Sequence, residues 1–222
     1  MNIIELKNIY FEYEKGEPVL KDLSLDIEEG SCLVVKGDNG SGKTTLFRIL
    51  NGLSFAQRGE YLYKGTAITA EYLKDNSRAK RFHKEIGYLF QDPDTMLFNS
   101  KVYDEVAFGP RQMGLSDEEA DMRVRDCLKL FGIEDLAEKV PYHLSGGQKK
   151  MVALASVMAL GPEVLILDEP FAGLDGKRTA QLEDFLKELK AAGKTLIIAT
   201  HRDGTAESLA DNVTEIKRPA SE

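Results

Sequence analysis

The chain has 222 residues, of which 42% are hydrophobic and 30% charged, values that fit one globular domain with sub-lobes. Acidic residues outnumber basic ones by 37 to 29, and the resulting net charge of −8 argues against nucleic acid as the partner of its main surface. The two cysteines, Cys32 and Cys127, form no CxxC pair, which disfavours a metal site or a disulfide framework and favours reduced thiols in the cytosol.

The first half of the chain is predicted to begin with strands over residues 3–13 and 19–27, which are rich in β-branched residues or alternate in polarity. A short apolar run at 32–35 predicts a buried parallel strand, followed by a helix over 44–51 that Gly52 can cap. Further strands are expected at 61–63 and 86–90, with a partly helical stretch at 70–83 between them. Residues 92–110 are predicted to be an irregular linker.

In the second half, Ser116 and Glu119 match a capping box that begins a helix, and Gly132 ends it. Another helix is expected over 147–160, then a buried strand at 164–167, a helix with its apolar face at 182–189, and a strand at 195–199, after which no further strand is predicted. Short apolar strands that alternate with helices indicate an α/β fold with a parallel sheet. The helix-rich block 92–160 is predicted to be a lobe inserted into that sheet.

A glycine-rich turn follows the strand at 32–35. It reads Gly-Asp-Asn-Gly-Ser-Gly-Lys-Thr over residues 37–44 and matches the phosphate-binding pattern GxxxxGK[ST]. Glycines allow the backbone N–H groups to approach phosphate oxygens, Lys43 is expected to reach the β- and γ-phosphates, and Thr44 to bind Mg²⁺. A chance glycine-rich turn is the alternative, which the flanking strand and helix disfavour. The phosphate-binding candidates are Gly37, Asn39, Gly40, Ser41, Gly42, Lys43, Thr44 and Thr45.

Two carboxylates stand at the end of the strand predicted at 164–167. Ligands bind at the carboxyl edge of parallel sheets, so Asp168 and Glu169 are placed where a phosphate-bound metal would lie. We expect Asp168 to contribute to the Mg²⁺ shell and Glu169 to act as general base, or polariser, for an attacking water. An acidic surface loop is the alternative reading of this pair.

Residues 144–148 read Leu-Ser-Gly-Gly-Gln and come just ahead of a predicted helix. A serine and two glycines at a helix N-terminus offer bare N–H groups to an anion, and Ser145 is equally suited to cap the helix. This sequence resembles the LSGGQ signature of ABC (ATP-binding cassette) ATPases, which adds Ser145, Gly146, Gly147 and Gln148 to the nucleotide-binding candidates.

The resemblance to ABC ATPases implies a single nucleotide-binding domain over 1–222. It consists of a P-loop core with a parallel sheet, an N-terminal antiparallel β subdomain and an inserted helical subdomain at about 92–160. Tyr13 corresponds to the residue that stacks on adenine, with Phe11 as a weaker candidate. Gln91 corresponds to the Q-loop glutamine that contacts Mg²⁺ or water, and His201 to the switch histidine that contacts the γ-phosphate. Residues 173–175, Gly-Leu-Asp, resemble the D-loop.

The resemblance also implies partners. ATP would be held between two chains arranged head to tail, with Lys43 of one facing Ser145 of the other, in a homodimer or a heterodimer. Residues 91–98, QDPDTMLF, and 104–110, DEVAFGP, resemble the energy-coupling-factor importers for cobalt, nickel and vitamins. The chain carries no recognisable signal peptide and no apolar run near 18 residues, so we expect a cytoplasmic protein held at the membrane by separate membrane-spanning subunits. An exporter or lipoprotein-release ATPase, or a soluble ABC ATPase, is the alternative.

Overall fold

The computed structural model describes residues 1–200 and 208–219. Within them, nine strands form two sheets that pack with seven α-helices. The strands are β1 (Asn2–Glu12), β2 (Pro18–Glu28), β3 (Cys32–Lys36), β4 (Arg58–Tyr63), β5 (Thr66–Ala67), β6 (Ile86–Leu89), β7 (Val164–Asp168), β8 (Thr195–Ala199) and β9 (Asn212–Glu215). The helices are α1 (Lys43–Leu50), α2 (Ala70–Lys74), α3 (Asn76–Glu85), α4 (Val102–Gln112), α5 (Asp117–Leu130), α6 (Gly146–Met158) and α7 (Gly176–Ala191).

One sheet is antiparallel, with strand order β2-β1-β4-β5. Its central strand β1 buries Ile4, Leu6 and Ile9 completely or almost completely, as expected of a strand with one face on a core. These side chains share a core with Phe47 of α1 and with one face of the second sheet. The antiparallel sheet therefore covers the helix that follows the glycine-rich loop.

The second sheet has strand order β6-β7-β8-β3-β9, and all neighbouring strands in it are parallel. Strands β7 and β8 are buried at every position, because helices or the antiparallel sheet cover both faces. Parallel strands bring their carboxyl ends to one edge, so the segments after β3, β6 and β7 meet there. The predicted α/β class with a parallel sheet and an N-terminal antiparallel sheet is confirmed.

Three helices, α4, α5 and α6, lie in the chain between β6 and β7 and pack mainly against one another. The prediction of an irregular linker over 92–110 is wrong in its second half, where α4 forms. Gly109 and Pro110 concealed this helix from the sequence pattern. Both fall in its last turn, so Pro110, which has no N–H to donate, removes a helical hydrogen bond only where the helix is about to end. The limits of the helical subdomain at 92–160 stay a prediction.

Several local predictions are confirmed. Ser116 Oγ accepts from Glu119 N at 3.2 Å while Glu119 Oε2 accepts from Ser116 N at 2.9 Å, which completes the capping box. Gly52 follows α1 with φ +69°. Strand β9 was missed, because three of its four residues are polar and three are exposed, so the segment carries too little apolar signal. None of the helices within the described part of the chain combines the length and apolar character needed to cross a lipid bilayer.

Candidate nucleotide site

The glycine-rich loop connects β3 to α1 and leaves the start of that helix open. Helix α1 begins at Lys43, and Gly42 precedes it with φ +109° and no side-chain cap. The N–H groups of a first helical turn without a side-chain cap, together with the helix dipole, form an anion site. A side chain at Gly42 would press on Val19 and Leu20 of β2 at about 3.0–3.2 Å. Strand β2 therefore packs directly against the end of the glycine-rich loop.

Gly37 at the start of the loop has no room for a side chain. Its φ is +149°, and a Cβ there would overlap the carbonyl oxygen of Ile216 and lie 2.6 Å from Ser41 Oγ. Ser41 Oγ is buried and finds no hydrogen-bond partner among the described residues. The loop therefore packs tightly against the chain that follows β9.

Lys43 and Thr44 make different contacts at the first turn of α1. Lys43 is only 9% exposed, and its Nζ donates to the carbonyl oxygens of Gly37 at 2.6 Å and Asp38 at 2.9 Å. Thr44 Oγ1 donates to Asp168 Oδ2 at 2.8 Å. The threonine hydroxyl and the carboxylate thus come together across the sheet edge, as a shared metal site requires.

Asp168 is the last residue of β7 and is 2% exposed. Burial raises the pKa of its carboxyl above the usual 3.8, and the hydrogen bond from Thr44 and the charge of Lys43 oppose that shift. Tyr88 of β6 also donates to Asp168 Oδ2, at 3.4 Å. A buried carboxylate beside a hydroxyl is a hard oxygen pair of the kind that Mg²⁺ prefers, so these residues fit that ion.

Glu169 follows Asp168 in a left-handed backbone conformation with φ +48°. Its N–H donates to Ala199 O at 2.9 Å, and its carbonyl oxygen accepts from Lys150 Nζ at 2.8 Å and from Ala172 N at 3.2 Å. Burial lowers the pKa of Lys150, and the carboxylates of Glu169, Asp168 and Asp92 oppose that shift. The turn after β7 is therefore fixed by hydrogen bonds to both the N–H and the carbonyl oxygen of Glu169.

Tyr13 lies just beyond β1 and is 62% exposed. Its hydroxyl is 3.3 Å from Thr45 Oγ1, and its ring meets Phe11 edge-on with centroids 4.9 Å apart. Phe11 itself is 6% exposed and belongs to the core. Of the two aromatic candidates, only Tyr13 presents a ring surface that a base could reach.

A pocket of about 280 Å³ unites most of the predicted residues. It is lined by Tyr13, Val19, Asn39, Gly40, Gly42, Lys43, Thr44, Thr45, Gln91, Asp168 and Glu169. Gly37 and Ser41 support the loop without lining the pocket. His201 lies outside the described residues.

The signature segment forms the N-terminus of α6. Ser145 Oγ accepts from Gln148 N at 3.3 Å and Gln148 Oε1 accepts from Ser145 N at 3.0 Å, a second complete capping box. Ser145 and Gly146 are exposed, whereas Gly147 packs near Gly173 in the predicted D-loop, whose Asp175 caps α7. In the part of the chain that the structure describes, none of residues 145–148 lines the P-loop pocket of the same chain.

Comparison with known proteins decides the family. Residues 20–172 match the family model described as "ABC transporter". The chain belongs to the ABC transporter ATP-binding family. As an ABC ATPase, it binds and hydrolyses ATP, and the predicted enzyme class is confirmed.

Two relatives of this ABC ATPase carry more specific names. It is 49% identical to the nickel import ATP-binding protein LarO of Lactiplantibacillus plantarum, over 90% of this chain and 82% of that protein. It is 42% identical to the energy-coupling factor transporter ATP-binding protein EcfA of Methanocaldococcus jannaschii, over 96% of this chain and 75% of that protein. The predicted resemblance to the energy-coupling-factor subgroup is confirmed.

Two solved structures share its fold. One is cbiO1 of Clostridium perfringens, part of the ABC transporter complex cbiONQ, with TM-score 0.83, 37% identity and coverage of 98% of this chain and 85% of that chain. The other is a dimeric ATP-binding cassette in a post-hydrolysis state bound to ADP and Pi, with TM-score 0.89, 29% identity and coverage of 97% and 94%.

Sequence reasoning missed three residues near the site. Val19 lines the pocket from β2, Tyr88 contacts Asp168, and Lys150 contacts the backbone of Glu169. Val19 and Tyr88 resemble any other apolar or aromatic residue of a strand. Lys150 gave one signal, a charged residue directly before the apolar run 151–155 of α6.

Proposed function

We propose that this ABC ATPase drives an importer of the energy-coupling-factor type, with cobalt, nickel or a vitamin as cargo, through separate membrane subunits. The proposed ATP hydrolysis site rests on one observation, the hydrogen bond between Thr44 and Asp168 in the pocket that Glu169 also lines. The pocket therefore contains candidate residues for binding phosphate, for binding the metal and for activating water. The names of the relatives support the proposed role in transport.

Each residue in the pocket has a role in this proposal. The loop N–H groups and Lys43 bind the β- and γ-phosphates, while Tyr13 stacks on adenine. Thr44, Asp168 and Gln91 hold Mg²⁺, which would neutralise phosphate charge when bound. Glu169 accepts a proton from the attacking water, and His201 contacts the γ-phosphate. The described geometry supports all of these except the role of His201.

We further propose that two copies pair head to tail, so that the signature segment of each completes the pocket of the other. The exposed Ser145 and the dimeric cassette with ADP and Pi support this arrangement. ATP bound between two chains stabilises the closed pair, and loss of the γ-phosphate releases it. Closing and opening can then move a membrane subunit.

A complementation experiment tests the composite site. Lys43→Ala impairs the P-loop side, and Ser145→Asp keeps a helix cap while placing a carboxylate against the phosphates. Each variant alone should be nearly inactive. An equal mixture should recover roughly a quarter of the wild-type rate, because half of the random dimers contain one intact site of two. A mixture as inactive as its components would contradict the head-to-tail arrangement.

We propose that the membrane subunits bind this chain at the surface formed by the segment that follows Gln91. Phe98 and Phe108 are 67% and 42% exposed and meet edge-on with ring centroids 4.9 Å apart. Exposed aromatic pairs of this kind are typical of protein interfaces. We propose that the chain is peripheral on the cytoplasmic face of the membrane through this contact and has no nucleic-acid partner.

Purification of the tagged protein from mild detergent tests the transport assignment. An energy-coupling-factor importer should bring integral membrane subunits with it, and Phe98→Asp should release them without reducing ATP hydrolysis by the isolated chain. Co-purification with an exporter or lipoprotein-release complex would instead support the alternative ABC system. Recovery of the chain without any membrane protein would favour a soluble ABC ATPase.

A further inference from the structure

Lys150 is a buried cation that does not line the proposed nucleotide pocket. It lies on the second turn of α6 and is 3% exposed, and its Nζ donates to the backbone carbonyl oxygen of Glu169 at 2.8 Å. The adjacent Lys149 differs, since it extends toward solvent-exposed Asp94, with an Nζ to Oδ1 distance of 2.6 Å. A buried ammonium is costly unless its contacts compensate for lost water. The contact with Glu169 therefore indicates a specific role.

The backbone of Glu169 is strained. A φ of +48° is unfavourable for a residue with a long side chain, and such conformations persist only where the surrounding structure holds them. Here Ala199 O accepts from the N–H of Glu169, while Ala172 N and Lys150 Nζ donate to its carbonyl. Lys150 makes the shorter of the two bonds to that carbonyl and contributes the only side chain to this clamp among the described residues.

We propose that Lys150 is a positioning residue for ATP hydrolysis, whose ammonium holds the strained peptide of Glu169 so that the carboxylate points at the attacking water. This inference rests on the proposed role of Glu169 as general base. Lys150 itself touches neither nucleotide nor water in this proposal. A misplacement of a reacting group by about 1 Å reduces rates on the order of 100-fold.

The same bond links two functional segments of one chain. Helix α6 begins beside Ser145, at the segment proposed to meet the nucleotide of the opposite subunit, and Lys150 lies one turn further along it. Its bond to Glu169 thus connects the signature helix to the base of the chain's own P-loop pocket. A shift of α6 on nucleotide contact is transmitted directly to the peptide that carries the base.

The test compares Lys150→Met with Lys187→Met in the full-length chain. Both changes replace a lysine by an apolar side chain of similar length, but Lys187 is half-exposed on α7 and pairs with Asp184. Lys150→Met should lower kcat on the order of 100-fold, with ATP affinity and Tm close to wild type. Lys187→Met should leave all three unchanged, and Lys150→Arg should restore most of kcat because it keeps a charged donor.

A double variant shows whether Lys150 acts through Glu169. In single-turnover experiments, Lys150→Met should change the rate of Glu169→Gln by no more than about 2-fold, because interacting residues are not additive. A clear further loss, a normal kcat in Lys150→Met, or a loss of ATP affinity that matches the loss of kcat would overturn the proposal.

Two further results keep the test decisive. If Lys150→Met fails to fold, Lys150→Gln is compared instead. Its neutral and shorter donor reaches the Glu169 carbonyl less well, so kcat should still fall below that of Lys150→Arg, and a normal kcat would overturn the proposal. If the wild-type chain itself hydrolyses no ATP, the proposed function fails first. An active wild type with an equally active Lys150→Met contradicts only the positioning role.

Discussion

Gly37→Ala tests whether the close packing behind the phosphate loop determines its shape. The added Cβ would overlap Ile216 O and crowd Ser41 Oγ at 2.6 Å, and backbone cannot rotate away as a flexible side chain can. Relief requires β9 to move from β3, which weakens the hydrogen bond from Ile216 N to Lys36 O at 2.8 Å. Overpacking of this kind costs about 2 kcal/mol, or about 4–8 °C in Tm for a chain of this size.

Gly40→Ala is the matched control for this prediction. Gly40 lies in the same loop and also has positive φ, at +76°, but a Cβ there meets no atom within 4 Å. Gly40→Ala carries the penalty of the left-handed region, about 1–2 kcal/mol. The φ of +149° at Gly37 is at least as unfavourable for alanine, so the backbone and the steric contact both predict the larger loss at Gly37. Thermal unfolding is followed by circular dichroism without nucleotide. Equal losses in the two variants, or a larger loss for Gly40→Ala, would refute the reasoning.

Three further predictions concern the pocket. Glu169→Gln should lower turnover on the order of 100- to 10,000-fold yet accumulate an ATP-bound dimer in size-exclusion chromatography; normal hydrolysis would rule out the base. Lys43→Ala, which removes a charged donor, should weaken ATP binding by about 10–100-fold in calorimetry; unchanged affinity would exclude the phosphate role. Because burial raises the pKa of Asp168 above 3.8, its ionised form destabilises the fold at neutral pH. Asp168→Asn should therefore raise the nucleotide-free Tm at pH 7. The gain should shrink as the pH falls through the raised folded-state pKa toward the ordinary value of 3.8 and should be absent below it, where the carboxyl is protonated in both states; a lower Tm at pH 7 would contradict this sign.

The sequence predicts those strands and helix starts that depend on residues close together in the chain. Apolar runs locate β3, β7 and β8 because fully buried strands need no polar positions. The capping box of Ser116 and Glu119 locates the start of α5, since it depends on two side chains three residues apart, and Ser145 as a capping residue marks the start of α6. The inserted helical lobe was predicted from the helix-rich block 92–160. The antiparallel arrangement of the N-terminal strands came from family resemblance, because local patterns do not fix which strands pair.

The remaining features depend on contacts that are distant in sequence. Strand β9 is held by pairing with β3, far earlier in the chain, and its four residues are too few and too polar to predict a strand by themselves. Helix α4 forms despite Gly109 and Pro110 because tertiary packing buries Val102 and Val106 completely. The bond between Lys150 and Glu169 joins two separate elements. Motifs predict which residues enter the pocket but not how their peptides are held.

The edges of the two sheets affect how copies of the chain can associate. The parallel sheet ends in β6 and β9, four residues each, and one edge of the antiparallel sheet is the two-residue β5. At the other edge, β2 is long, but register shifts and the positive φ of Asp22 interrupt its pairing row. Short or irregular rims are poor templates for strand addition and protect a protein from aggregation. Strand-to-strand addition between copies is thereby disfavoured, and we expect concentrated solutions of this chain to resist polymerisation through the sheet edges.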